Sequence, residues 1–143
     1  MKTLGIQINS GTAILVVLEQ NQEGEIVQCR ESTKFELEDS LKSEQVRHFK
    51  DQVDSTIDTI NPDYIGIIAR NKSGKSKMGV SPLSFKLEGI FQLYEKKDIE
   101  FIWPQTLTPF IRQNQIDTRP KFTYQTDAFN LAHFLLIKYN YGN

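Results

Sequence analysis

Cysteine is nearly absent from this chain of 143 residues: Cys29 stands alone, so no disulfide within the chain can staple the fold. Long hydrophobic runs are lacking too. The longest, Ala13 to Leu18, has six residues, and Gln7, Asn9 and Ser10 break the apolar stretch that follows Lys2. Neither is long enough for a signal core or a membrane span, which makes the cytoplasm the expected compartment and excludes a membrane partner. Histidine occurs twice, at His48 and His133. No internal repeat, linker or low-complexity tract divides the chain, so residues 1–143 are expected to form one domain. With 38% apolar residues and 24% charged ones, it should bury roughly 65 to 70% of its unfolded surface without structural metal.

The net charge of −1 conceals an asymmetry. Residues 1–60 carry 6 basic and 11 acidic side chains, and residues 61–143 carry 11 basic and 7 acidic ones. Arg70, Lys72, Lys75, Lys77 and Lys86 fall between Tyr64 and Leu87 with no acid among them. That stretch makes a local positive field in a nearly neutral chain.

Strand signals come first. Leu4, Ile6 and Ile8 alternate with Gly5, Gln7 and Asn9, and turn residues at Asn9-Ser10-Gly11 precede the run Ala13–Leu18, which predicts a hairpin. A turn at Asn21–Gly24 leads to a third antiparallel strand over Ile26–Phe35. The period then changes: Val46, Phe49, Val53, Ile57 and Ile60 define an amphipathic helix behind Ser43 as cap, stopped by Asn61-Pro62. Tyr64–Ala69 is almost wholly apolar, as in a strand covered on both faces of a parallel sheet. A Ser/Gly/Lys loop follows, then a helix from Pro82, a strand over Ile99–Trp103, and a short helix over Thr106–Gln113 with Pro109 in its first turn. Asn114–Lys121 reads as a polar loop, and a largely buried helix starts near Thr126. A meander followed by alternating helices and strands predicts a mixed α/β sheet with helices on its faces.

This order resembles the ribonuclease H-like fold, and short segments resemble the branch typified by the Holliday junction resolvase RuvC. Leu4–Ala13 resembles the family's opening hairpin, where a catalytic Asp follows a Gly-Ile pair. Ser84–Gly89 resembles the start of the helix after the fourth strand, Phe101–Thr106 the fifth strand and the entry to the next helix, and Thr126–His133 the Asp-Ala-x-x-Leu-Ala helix that closes the fold. The resemblance covers nearly the whole chain and implies a five-stranded sheet of order 3-2-1-4-5.

Active members of the family are nucleases that hold two divalent cations on clustered carboxylates, because hard Mg²⁺ or Mn²⁺ prefers oxygen ligands and two ions clamp the attacking and leaving oxygens. The resemblance places the first acid at Gln7, an amide that cannot offset cation charge. The fourth-strand acid falls within Ala69, Arg70 and Asn71, none of them acidic. In the last helix Asp127 matches an expected acid, but Tyr124 and Thr123, three and four residues before it, are not carboxylates. The remnant site that the resemblance implies is Gln7, Asn71, with the alignment open over 69–71, and Asp127, the one expected acid kept, as a metal ligand or, as a lone acid near a helix start, a local cap. In this the chain resembles uncharacterised bacterial members of the branch that lack the full acidic cluster. A site rebuilt from Glu19 or Glu88 is the competing expectation; Glu19 belongs at the far end of the second strand and Glu88 on a helix packed outside the sheet.

Other signals are weaker. Ala69–Ser76 satisfies a relaxed phosphate-loop pattern, but Gly79 and Pro82 interrupt any helix begun at Lys75, so nucleotide hydrolysis is not expected. Arg70, Lys72, Lys75 and Lys77, helped by Lys86, suit contact with nucleic-acid phosphates without sequence readout. Phe122, Tyr124, Phe129, Phe134, Tyr139 and Tyr141 crowd one end of the chain, as core, as a stacking platform or as an oligomer contact. His133 lies six residues after Asp127, so the two point to different sides of a helix and form no metal pair. His48 falls off its helix's apolar stripe, and Cys29 reads as a strand residue. Three functions follow: a RuvC-like module that binds DNA or RNA without nuclease activity, an Mg²⁺- or Mn²⁺-dependent nuclease with an altered site, or a protein-binding or homodimeric scaffold. Only the second requires a cofactor.

Overall fold

Alternation builds the first hairpin. Leu4, Ile6 and Ile8 lie on one face of β1 (Lys2–Asn9), and Thr3, Gly5 and Gln7 on the other; β2 (Thr12–Gln20) returns antiparallel with Asn9 opposite Thr12. Ser10 closes the turn in the left-handed region, at φ 54°. The computed structural model describes residues 1–69 and 81–141; Arg70, Asn71, Lys72, Lys75 and Lys77, and the side chain of Tyr141, lie outside the described residues.

The single third strand expected over Ile26–Phe35 is two strands, β3 (Ile26–Gln28) and β4 (Thr33–Glu36), both antiparallel to β2. Leu18 pairs with Gln28 and Leu15 with Thr33, so Val16 and Val17 face the four residues 29–32, and the outer chain bulges. The ladder is mended across the bulge: the Cys29 amide donates to Val17 O (2.8 Å) and the Val17 amide to Ser32 Oγ (2.9 Å). Cys29 thus sits at the interruption and not within a strand.

Helix α1 (Ser43–Ile60) buries Phe49, Val53, Ile57 and Ile60. Its cap is Lys42, without a side-chain bond, and Ser43 is already helical; Asn61 ends the helix at φ 49°. Strand β5 (Tyr64–Ile68) pairs parallel to β1, and β6 (Ile99–Ile102) parallel to β5. Helix α2 (Pro82–Gln92) starts with the Ser81 hydroxyl accepting from the Leu83 amide. Helix α3 (Pro104–Gln113) begins two residues earlier than expected, because Pro104 has the φ of a first helical residue. Pro109 consequently lies in its interior, on the exposed side. A single 3₁₀ turn, Thr123–Gln125, precedes α4 (Thr126–Tyr141).

The strand order is β3-β2-β1-β5-β6 with β4 also on β2, which is the expected 3-2-1-4-5 once the divided strand is counted as one. Helices cover both faces. Leu4, Ile6, Ile8, Leu15 and Val17 pack against Phe49, Ile57 and Phe91 of α1 and α2, while Ile14, Val16 and Leu18 meet Phe129, Ala132 and Leu136 of α4. Small residues let α4 lie directly on the sheet. A Cβ at Gly5 would fall 2.2 Å from Ala128 O and 2.8 Å from Ala132 N, and the buried Thr3 hydroxyl donates to Ala132 O at 2.7 Å. No helix among the described residues is long and apolar enough to cross a membrane.

Candidate functional site

The parallel strands β1, β5 and β6 all end at one edge of the sheet, the edge where open α/β sheets place their ligands. Near that end of β1, Gln7 projects toward α4. Because α4 runs antiparallel to β1, with Thr3 against Ala132 and Gly5 against Ala128 and Ala132, Gln7 meets the first turn of the helix. There the Gln7 Nε2 donates to Asp127 Oδ2 at 3.0 Å. The reverse amide orientation would set two oxygens against each other, so the carboxylate fixes the amide. Gln7 Oε1 is buried without a partner among the described residues. Beside Asp127 a small cleft of 140 Å³ is lined by Ile68, Leu107 and Asn130 among others.

A second cleft, of 430 Å³, lies between the bulge and the segment leading into α4. Cys29, Arg30 and Ser32 form one wall, and Lys121, Phe122 and Tyr124 the other. A pair of glutamines ties the walls together. Gln28 Nε2 donates to Gln125 Oε1 (3.0 Å), which also accepts from the Phe122 amide (3.0 Å), and Gln28 Oε1 accepts from the Lys121 amide (2.9 Å). Phe122 and Tyr124 remain exposed with their rings parallel, centroids 5.6 Å apart. Burial, then the charges of Glu31 and Glu19, push the Cys29 thiol up to about 11, so at neutral pH it is not a nucleophile.

A family model described as "Protein of unknown function (DUF3010)" matches residues 1–135. The chain belongs to the DUF3010 family. No curated protein matches its sequence. Among solved structures this DUF3010 chain is similar to Thermus thermophilus RuvC, with 11% identity, a TM-score of 0.75 and coverage of 99% of this chain and 97% of that one. The same bacterium's RuvC in complex with a Holliday junction substrate gives 10% identity and a TM-score of 0.72, at 99% and 97% coverage. The yeast mitochondrial Holliday junction resolvase gives 13% identity and a TM-score of 0.54, covering 99% of this chain and 68% of that one. The likeness is one of fold: the DUF3010 chain has the RuvC-type, ribonuclease H-like architecture.

The remaining sequence-derived residues of the DUF3010 chain scatter. Asn71 and the basic residues 70–77 lie outside the described residues; their described flanks, Ala69 and Ser81, stand at the strand-end edge, with Ala69 bonded to Ile102 O and the Ser81 hydroxyl 3.3 Å from that of Ser10. Lys86, exposed on α2, donates to Ser40 O on the opposite side of the sheet from Asp127. Glu88 is buried on α2, which packs on the face of the sheet opposite α4. Glu19 pairs in register with Lys2, at the other end of the hairpin from Gln7. Among the described residues no group of three or more His, Cys, Asp or Glu side chains is placed to hold a metal ion. Phe129 is core, Phe134 packs on Phe110, and Tyr139 stacks on Tyr64 while donating to Glu100 (2.7 Å). His48 is exposed.

His133 carries more than the sequence suggested. It is 4% exposed, its Nε2 has no partner among the described residues, and Phe110 meets its ring edge-on at 5.1 Å. Burial pushes its pKa below the ordinary imidazole value. It lines a 510 Å³ cleft under the loop 114–121, whereas Asp127 lines the cleft beside α3. The two residues do face different sides of α4.

Proposed function

We propose that this protein is a RuvC-like module that binds nucleic acid without cleaving it. The observation that carries the reading is the Gln7–Asp127 hydrogen bond. A two-metal site needs several anionic oxygens converging on cations, whereas here an amide donor points its hydrogen at the one carboxylate that the family resemblance retains. Branched DNA is the first ligand to test, since solved structures of this fold include a resolvase in complex with a Holliday junction substrate. The basic residues Arg70, Lys72, Lys75 and Lys77 supply the phosphate contacts in this reading.

The test is anisotropy of a labelled four-way junction and a plain duplex at low and physiological salt with Mn²⁺ present, followed by a denaturing gel of the same DNA. Binding that weakens steeply with salt, and weakens further for all sequences when Lys72, Lys75 and Lys77 are changed to Ala, is the expected result, with the DNA intact. Mn²⁺-dependent cleavage abolished by Asp127→Asn would overturn the reading in favour of a nuclease with an altered site. Absence of binding at low salt would remove DNA and turn attention to RNA or protein.

A further inference from the structure

We propose that Phe122 and Tyr124 form a stacking site for the unpaired bases of single-stranded nucleic acid, with Arg30, Lys34 and Lys121 meeting the flanking phosphates. This rests on the nucleic-acid reading above and adds to it the strandedness of the ligand and a contact surface separate from residues 70–77.

Three features make the rim unlike ordinary surface. The rings are 47% and 42% exposed yet lie within 6° of parallel, an apolar face kept in water instead of being turned into the core. They are held on a rigid mount: the Gln28–Gln125 pair accepts from the backbone amides of Lys121 and Phe122, the Gln125 amide donates to Phe122 O (3.0 Å), and the Thr126 hydroxyl donates to Thr123 O (2.7 Å). Ordering of such a segment is complete before a ligand arrives, which removes part of the entropy that binding would otherwise cost. Finally, cations already occupy the ring faces. Lys34 Nζ lies 4.4 Å from the Tyr124 centroid and Lys121 Nζ 5.4 Å from that of Phe122.

That combination suits a base and its phosphate. A base entering the rim replaces the ammonium on the ring face, and the freed lysine is one side-chain length from the phosphate that follows. The adjoining cleft bears Arg30 and Lys121 and no carboxylate among its lining residues; Glu19 and Glu31 act on its Cys29, Glu31 also pairing with Lys2 at 3.9 Å. Bases in a duplex have their faces covered by neighbours, so the platform selects unpaired ones.

Anisotropy of the full chain separates this from the parent reading. The probes are a labelled oligothymidine of about 20 nucleotides, an abasic strand of the same length, and a plain duplex. Phe122→Ala with Tyr124→Ala should weaken oligothymidine about tenfold or more while moving the duplex less than about twofold. Tyr124→Phe should retain binding, since the ring and not the hydroxyl stacks. The abasic strand, with its phosphates intact, should bind the unaltered protein weakly, and that comparison stands even if the double variant folds poorly. Equal binding of oligothymidine and the abasic strand, or of the double variant and the parent, would overturn the platform and leave nucleic-acid binding in place. Failure to bind any of the three while the four-way junction still binds would overturn the platform alone, and failure to bind the junction and a single-stranded RNA as well would overturn both.

Discussion

At Gln7 the difference between a carboxylate and an amide is one charge, and Asp127, 3.0 Å away, is where that difference acts. Gln7→Asp should replace a hydrogen bond with two facing carboxylates and lower stability by about 1 to 3 kcal/mol in chelator. Mn²⁺ should then raise the melting temperature of the variant and leave the parent unchanged; a variant indifferent to Mn²⁺ would mean that the two side chains cannot converge on an ion. His133 gives a pH signature of its own. Its folded pKa lies below the unfolded value of 6.5, so the unfolded chain takes up the proton first. The stability that the neutral ring contributes is complete above about pH 6.5 and is lost as pH falls through the lowered folded value. Urea unfolding at about pH 7.5 and pH 5 should show a drop in the parent that is smaller in His133→Leu. Parallel pH profiles for the two proteins would count against it.

Among the elements, α4 and β1 set the tolerances. Gly5 is the point where helix backbone touches strand backbone, and an added methyl has nowhere to go, with Ala128 O at 2.2 Å. At Gly66 the nearest atoms are the tips of Leu135 and Leu131 at 3.1 and 3.3 Å, which can turn aside. Gly5→Ala should therefore cost about 3 kcal/mol or more and Gly66→Ala about 1 to 2 kcal/mol, by the general cost of overpacking. Equal denaturation midpoints would mean that α4 can lift from the sheet. The divided outer strand belongs to this scale too. Its bulge sets four residues against two, and an insertion of two preserves the parity of inward and outward side chains, so Ile26 and Phe35 keep the faces that an unbroken strand would give them. Alternation alone therefore reads straight through the bulge, and the cleft it opens beside Phe122 is invisible to it.

Over the whole molecule, the order of elements was legible because each turn, period change and proline acts locally: Ser10-Gly11, the α1 stripe and Pro82 each did what their chemistry dictates. What could not be read was which distant residues meet. Gln7 and Asp127 were each recognisable by type, but their bond joins positions 120 apart, and the Gln28–Gln125 bond that mounts the aromatic rim joins positions 97 apart. The burial of Glu88 and His133 was out of reach for the same reason, since burial of a polar residue depends on which elements fold over it.

The Thr3–Ala132 bond, spanning 129 residues, ties the first strand to the last helix. A ribosome making this chain from its N-terminus releases β1 and β2 long before α4 exists, and Ile14, Val16 and Leu18 then face water, since their cover comes from Phe129, Ala132 and Leu136. The domain thus completes its core only after synthesis has passed α4, and its early strands form an apolar surface that folding helpers can hold during translation.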